Sequence, residues 1–168
     1  MLRVALSMPL LAALASAAPQ ALPPNADAIR AEFGGKIIVT PDADGREKWN
    51  SPADTVPKIS TTDVVRAGQT VYILTFVVNP GVDDNGAAHV ICHVTAKRPD
   101  GTTSIDQADI PCLGKLALDP QHVFLTSAAI GFTAEPNDLR GEWSIAVDVT
   151  DRVQNKTLPL RRTFTVTD

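Results

Sequence analysis

The sequence predicts an all-β fold of two packed antiparallel sheets, and three observations carry that prediction. Short runs rich in Val, Ile, Thr and Phe recur between clusters of Gly, Pro, Asn and Asp, the pattern of strands punctuated by turns. Helical periodicity is absent beyond Gly34-Gly35, so nothing in the body of the chain asks for a long helix. One segment, Glu142 to Thr150, alternates cleanly: Trp143, Ile145, Val147 and Val149 point one way, and Ser144, Ala146, Asp148 and Thr150 the other. A strand with one core face and one wetter face has this pattern.

In chain order the candidate strands are Lys36 to Thr40, Lys58 to Val65, Thr70 to Val78, Ala87 to Lys97, a shorter one near Ser104 to Cys112, His122 to Phe132, Glu142 to Thr150, and Leu158 to Thr167. Strands at this spacing fit a sandwich of about seven to eight. Lys58 to Val65 starts after Pro57 and alternates with polar residues, as an edge strand does. Thr70 to Val78 is apolar on both faces, with Tyr72, Leu74, Phe76 and Val78 opposite Val71, Ile73 and Val77, which predicts a central strand. In Ala87 to Lys97 the inner face is Val90, Cys92, Val94 and Ala96. The connection from Pro41 to Pro57 exceeds the usual loop of about 4 to 6 residues, so it is either functional or loosely ordered.

Ahead of these strands stands a different kind of sequence. Arg3 is a short positive n-region, Val4 to Leu14 an apolar stretch too short to span a bilayer, and Ala15-Ser16-Ala17 a small-x-small cleavage site, together the marks of a secretory signal peptide cut after Ala17. The alternative is an ordinary buried or anchoring helix. No cysteine follows the cleavage site, so no lipid anchor is expected there. Residues 18–33 form a Pro/Ala-rich leader containing Pro19, Pro23 and Pro24, with room for a helical turn around Asp27 to Phe33. The expected layout is a signal peptide over 1–17, the leader over 18–33, and one β-sandwich domain over 34–168.

The chain has 168 residues, 15 basic and 19 acidic, for a formal charge of -4. Losing Arg3 with the signal takes this to -5. An acidic balance argues against nucleic acid or anionic lipid as the main partner, because both need a basic face. Beyond the signal no apolar run nears the roughly 20 residues of a membrane helix. Cys92 and Cys112 are the two cysteines. In an exported chain they are expected to pair, the alternative being two buried free thiols. No Cys-x-x-Cys or closely spaced Cys/His pair points to zinc.

Gly141-Glu142-Trp143-Ser144-Ile145-Ala146-Val147-Asp148-Val149-Thr150-Asp151, a turn through Asn155-Lys156-Thr157, and a last run ending Thr163-Phe164-Thr165-Val166 resemble the closing hairpin of bacterial immunoglobulin-like and macroglobulin-like domains. Arg98-Pro99-Asp100-Gly101-Thr102 is similar to the Pro-Asp-Gly hairpin tip of such sandwiches. The resemblance covers under a third of the chain that remains after the signal and implies architecture alone. There is no Trp between the two cysteines, so an antibody-type bridge between sheets is not implied.

Chemistry-bearing side chains are sparse. The histidines are His89, His93 and His122. His89 and His93 share one face of a strand but stand roughly 13 Å apart at about 3.3 Å per residue, too far to hold one metal unless another strand inserts a ligand. His122 follows Asp119-Pro120-Gln121 at a strand start. No Gly-x-Ser-x-Gly or His-Glu-x-x-His motif occurs, so a hydrolase is the least supported class. Asp42-Ala43-Asp44-Gly45 and Asp83-Asp84-Asn85-Gly86 resemble half of a calcium loop but lack the full spacing and the distal Glu; turn chemistry is the plainer account of them. Asn155-Lys156-Thr157 is a formal glycosylation sequon. Trp49 sits in a polar loop and is either a recognition anchor or a plug at one end of the sandwich.

These observations predict a periplasmic or secreted, non-catalytic binding module without a cofactor, whose partner is another envelope or secreted protein. Its candidate surface is Trp49 with Asp42, Asp44, Asp83 and Asp84. The alternative is a periplasmic protein that binds a small ligand or a metal such as Ca²⁺ through the acidic loops or His89 and His93.

Overall fold

The computed structural model describes residues 32–50, 57–116 and 118–168. The expected signal peptide, nearly all of the leader, and part of the 41–57 connection therefore lie outside the described residues. Nine strands are described: β1 (Gly34–Thr40), β2 (Val64–Arg66), β3 (Thr70–Val78), β4 (Ala87–Lys97), β5 (Thr103–Lys115), β6 (Val123–Leu125), β7 (Ile130–Thr133), β8 (Gly141–Asp151) and β9 (Lys156–Thr167), with one short helix, α1 (Gly45–Trp49). They form two sheets. The four-stranded sheet places β3 between β1 and the pair β6 and β7, which follow one another along the same side of β3; the five-stranded sheet runs β2-β9-β8-β4-β5.

The alternation read from β8 holds: Trp143, Ile145, Val147 and Val149 are all buried. So are Val90, Cys92, Val94 and Ala96 of β4, which lies beside β8 with Cys92 opposite Val149. These side chains and Ile37, Val39, Val71, Ile73 and Val77 of the four-stranded sheet belong to one hydrophobic cluster. An aromatic trio joins the sheets: the ring of Phe132 (β7) lies 5.0 Å from those of both Trp143 (β8) and Phe164 (β9). The indole N–H of Trp143 is satisfied by the Leu139 carbonyl at 3.0 Å, as a buried Trp needs. Phe33, placed in the leader by sequence, is buried in the same core.

Three strand predictions are corrected. Of Lys58 to Val65 only its end is strand: β2 is an edge strand as expected, but it runs parallel to β9. His122 to Phe132 divides into β6 and β7, because the chain leaves the sheet after Thr126, whose N–H still bonds the Thr75 carbonyl, and the Ser127 N–H turns to the Cys112 carbonyl. The strand near Ser104 to Cys112 is long rather than short. It tolerates Pro111 and several register shifts against β4 because its outer edge has no ladder partner.

Cys92 and Cys112 form a disulfide with Cα atoms 5.8 Å apart. It links neighbouring strands of one sheet, β4 and β5, rather than crossing between sheets. At one end of the molecule the fully buried Asp151 carboxylate accepts backbone N–H bonds from Gly81, Val153 and Gln154 at 2.6, 2.9 and 3.0 Å. The Gln154 side chain donates onward to the Asn79 carbonyl. A buried charge needs this degree of satisfaction.

Candidate functional site

The outer face of the four-stranded sheet is unusually apolar. By register, Phe76 stands between Lys36 and Leu125, Val78 between Gly34 and Val123, and Leu74 beside Ile38. Bare exposure of this surface to water would be costly, and residues 41–50 and 57–61, together the strap, cover part of it. Gly45 lies so close to the sheet that an added Cβ would come within 3.2 Å of Leu74 Cδ1. Trp49, at the end of α1, sets its ring edge-on against Phe76 at 4.6 Å. Phe76 is left 7% exposed and Trp49 half-buried. β3 is thus apolar on both faces for two reasons: it is central in its sheet, with one face in the core, and its other face is partly covered by the strap.

The strap is closed by the residue read from sequence as a calcium candidate. Asp42 Oδ2 accepts from Lys48 Nζ at 2.9 Å and from the Ser60 N–H at 3.0 Å, while the Asp42 N–H donates to Thr40 Oγ1 at 3.0 Å. One carboxylate therefore joins the entry, the helix and the exit of the strap. The Lys48 hydrogen bond, supported by the Ser60 N–H, holds the Asp42 carboxyl below its ordinary range, and the same partner raises Lys48. Asp44 is exposed and pairs with Lys48 at 3.0 Å. Arg46 donates to the Thr126 carbonyl at 3.2 Å.

The second acidic loop leaves β3 from its other end. Thr40, and hence Asp42, stands at the Tyr72 end, whereas Asp83 and Asp84 follow Val78. The two loops do not converge on one site. Asp83 Oδ1 accepts from the N–H groups of Asn85 and Ala87, and Oδ2 lies 2.9 Å from His89 Nε2. These bonds, the His89 contact foremost, bring its pKa down to about 2. Asp84 is exposed. His93 lies 2.6 Å from Asp106, and His122 Nδ1 lies 3.2 Å from the Asp119 carbonyl oxygen. Each histidine thus has its own local partner. Among the described residues no group of three His, Cys, Asp or Glu is placed to hold a metal ion, and no helix is long and apolar enough to cross a membrane. Asn155 of the sequon lies in the exposed turn between β8 and β9.

Beside the strap an open groove of about 490 Å³ remains, lined by Ile38, Trp49, Ile59, Phe76, Val78 and Val123, with Lys36 on its wall. Of these, only Trp49 was singled out as a binding candidate. Phe76 and Val78 carried a signal in the second apolar face of their strand; Lys36 and Val123 carried none, because a sequence does not state which strands are neighbours.

No protein-family model matches the chain, and no curated protein matches it. Several solved structures are similar. A family 123 glycoside hydrolase from Clostridium perfringens aligns with TM-score 0.47 and 11% identity over 82% of this chain and 28% of that one; the present chain thus spans less than a third of its length. The CARDB domain of a Pyrococcus furiosus protein, in complex with di-metal ions, aligns with TM-score 0.40 and 13% identity over 80% of this chain and 89% of that one. An immunoglobulin-like protein from Pseudomonas aeruginosa aligns with TM-score 0.34 and 15% identity over 82% and 98%. At such identities the likeness concerns strand arrangement and says nothing of ligand or reaction.

Proposed function

We propose that this chain is an exported, non-catalytic binding module on an immunoglobulin-like sandwich, with a signal peptide over 1–17, a leader over 18–33 and the domain over 34–168. Its binding face is the outer face of the four-stranded sheet around Trp49. The observation that carries this reading is the half-covered apolar surface beside the strap, where Trp49 and Phe76 flank an open groove. Concave, mostly apolar surfaces with a few polar groups are where ligands bind, and Trp is enriched at binding hot spots. The other outer face is polar and internally paired, with Arg161 on Asp148 and His93 on Asp106. Separate local partners for the three histidines favour the non-catalytic reading, and the disulfide suits an oxidising compartment.

Native mass spectrometry of the untagged protein recovered from its host's cell envelope tests this. The expected species begins at Ala18, lacks two hydrogens for the disulfide, and carries a bound component that Trp49→Ala loses while remaining folded by circular dichroism. A bare protein, or a component retained by Trp49→Ala and lost by Arg161→Ala, overturns the assignment of the face.

A further inference from the structure

We infer that the groove beside the strap takes one amphipathic anion, an unbranched acyl chain lying over Phe76, Val78 and Val123 with its anionic head at Lys36. This rests on the reading of the Trp49 face as the binding face.

The charge pattern of the groove selects the sign of the head. Among the described residues Lys36 is the single ionisable side chain on its wall, and no carboxylate of theirs lines it. Two of the strap's three cations are engaged elsewhere, Lys48 by Asp42 and Asp44 and Arg46 by the Thr126 carbonyl; the third, Lys58, is exposed and is not among the residues that line the groove. Lys36 is exposed and forms no ion pair with the described residues. It stands directly beside Phe76 in the ladder, so its head reaches solvent while its stem lies along the apolar floor.

The lining selects the tail. Apart from Lys36, the lining side chains of the described residues carry only the Thr61 hydroxyl and the Trp49 indole N–H as polar groups. A sugar or nucleotide would therefore lose hydrogen bonds to water without replacing them, whereas an alkyl chain loses none. A volume of about 490 Å³ falls within the roughly 300–1,000 Å³ of small-molecule sites. At the border of the groove Gly34 puts no side chain next to the lining residue Val78, where an added Cβ would meet Val78 Cγ1 at 3.5 Å, an ordinary contact.

The test is calorimetric titration of the purified protein with dodecanoate below its micelle concentration, with dodecanol and dodecylammonium as comparison ligands and tryptophan fluorescence in parallel. Dodecanoate is expected to bind one to one and saturably, and to change the emission of half-buried Trp49 while Trp143, 2% exposed, stays constant. Lys36→Glu should weaken dodecanoate about tenfold, leave dodecanol unchanged, and reverse the preference toward dodecylammonium. Gly34→Leu, which lays a side chain alongside Val78, should abolish binding of all three in a folded protein. Absence of saturable binding, equal binding of dodecanoate by Lys36→Glu, or association with anionic vesicles alone would overturn the inference. If dodecanoate fails while the native component still depends on Trp49, the ligand class is wrong and the face stands; if both fail, the face is wrong.

Discussion

On the outer face of the five-stranded sheet, Asp106, His93, Asp148 and Arg161 lie across four neighbouring strands as two hydrogen-bonded polar pairs. Corresponding positions of the four-stranded sheet hold Ile38, Leu74, Phe76 and Val123, under a strap that only partly covers them. Both sheets bury similar inner faces against one core. The difference teaches that an apolar second face is a commitment: it must be covered by the chain itself or by something the chain binds. Here the strap covers the Leu74 side, and the Val78 side is left open.

The strongest way to break this contrast is Phe76→Ala, which removes a buried ring from beneath Trp49. It should cost about 3–5 kcal/mol, the range for core aromatics, in urea unfolding; a loss below 1 kcal/mol would mean that the strap is not part of the folded unit. Replacing both Cys92 and Cys112 by Ala should cost about 3 kcal/mol for a 20-residue separation. Hydrogen exchange should then localise the loss to β5 and its border with β4, leaving the four-stranded sheet protected. Arg161→Ala, on the polar outer face, should cost only about 0.2–1 kcal/mol, as exposed ion pairs do. An effect as large as that of Phe76→Ala would erase the distinction between the two faces.

The subtlest difference is one of pH. Because the folded-state pKa of Asp83, about 2, lies below its ordinary 3.8, its contribution is fully present above the unfolded value and is lost as pH falls toward 2. Melting temperatures of the protein and of Asp83→Asn should therefore differ above about pH 5 and converge near pH 2. A gap that stays constant across this range would show that the His89 contact does not set the acid response of the β3–β4 connection.

Much of the larger sheet was legible because its strands alternate: Trp143 to Val149 announce their face residue by residue, and Cys92 falls on the buried side of β4 where its pairing needs it. The bounds of β3 and β4 follow from Gly and Asn clusters at their ends. The strap was not legible. A five-residue helix is shorter than two helical turns, so it leaves no periodicity to find, and α1 depends on tertiary partners, Lys48 reaching Asp42 and Asp44, and Trp49 reaching Phe76. The division of β6 from β7 likewise depends on Ser127 turning toward Cys112, a contact between residues distant in the chain. Asp42 was noticed as an acidic loop residue, but its role as a clasp becomes visible only once Ser60 has been folded back beside it.

The two ends of the molecule differ in how they tolerate added sequence. Around Asp151 the β3–β4 connection and the β8–β9 turn are tied to one buried carboxylate, so an insertion in either would strip donors from it. The Arg98 to Thr102 tip bonds within itself, from Gly101 to Arg98 and from Thr102 to Asp100, and to the adjoining Thr103 carbonyl through Arg98, and among the described residues it takes no hydrogen bond from another loop. A foreign peptide spliced between Asp100 and Gly101 would be displayed on a rigid hairpin without disturbing the remote carboxylate, which makes this domain a scaffold with one open end and one locked end.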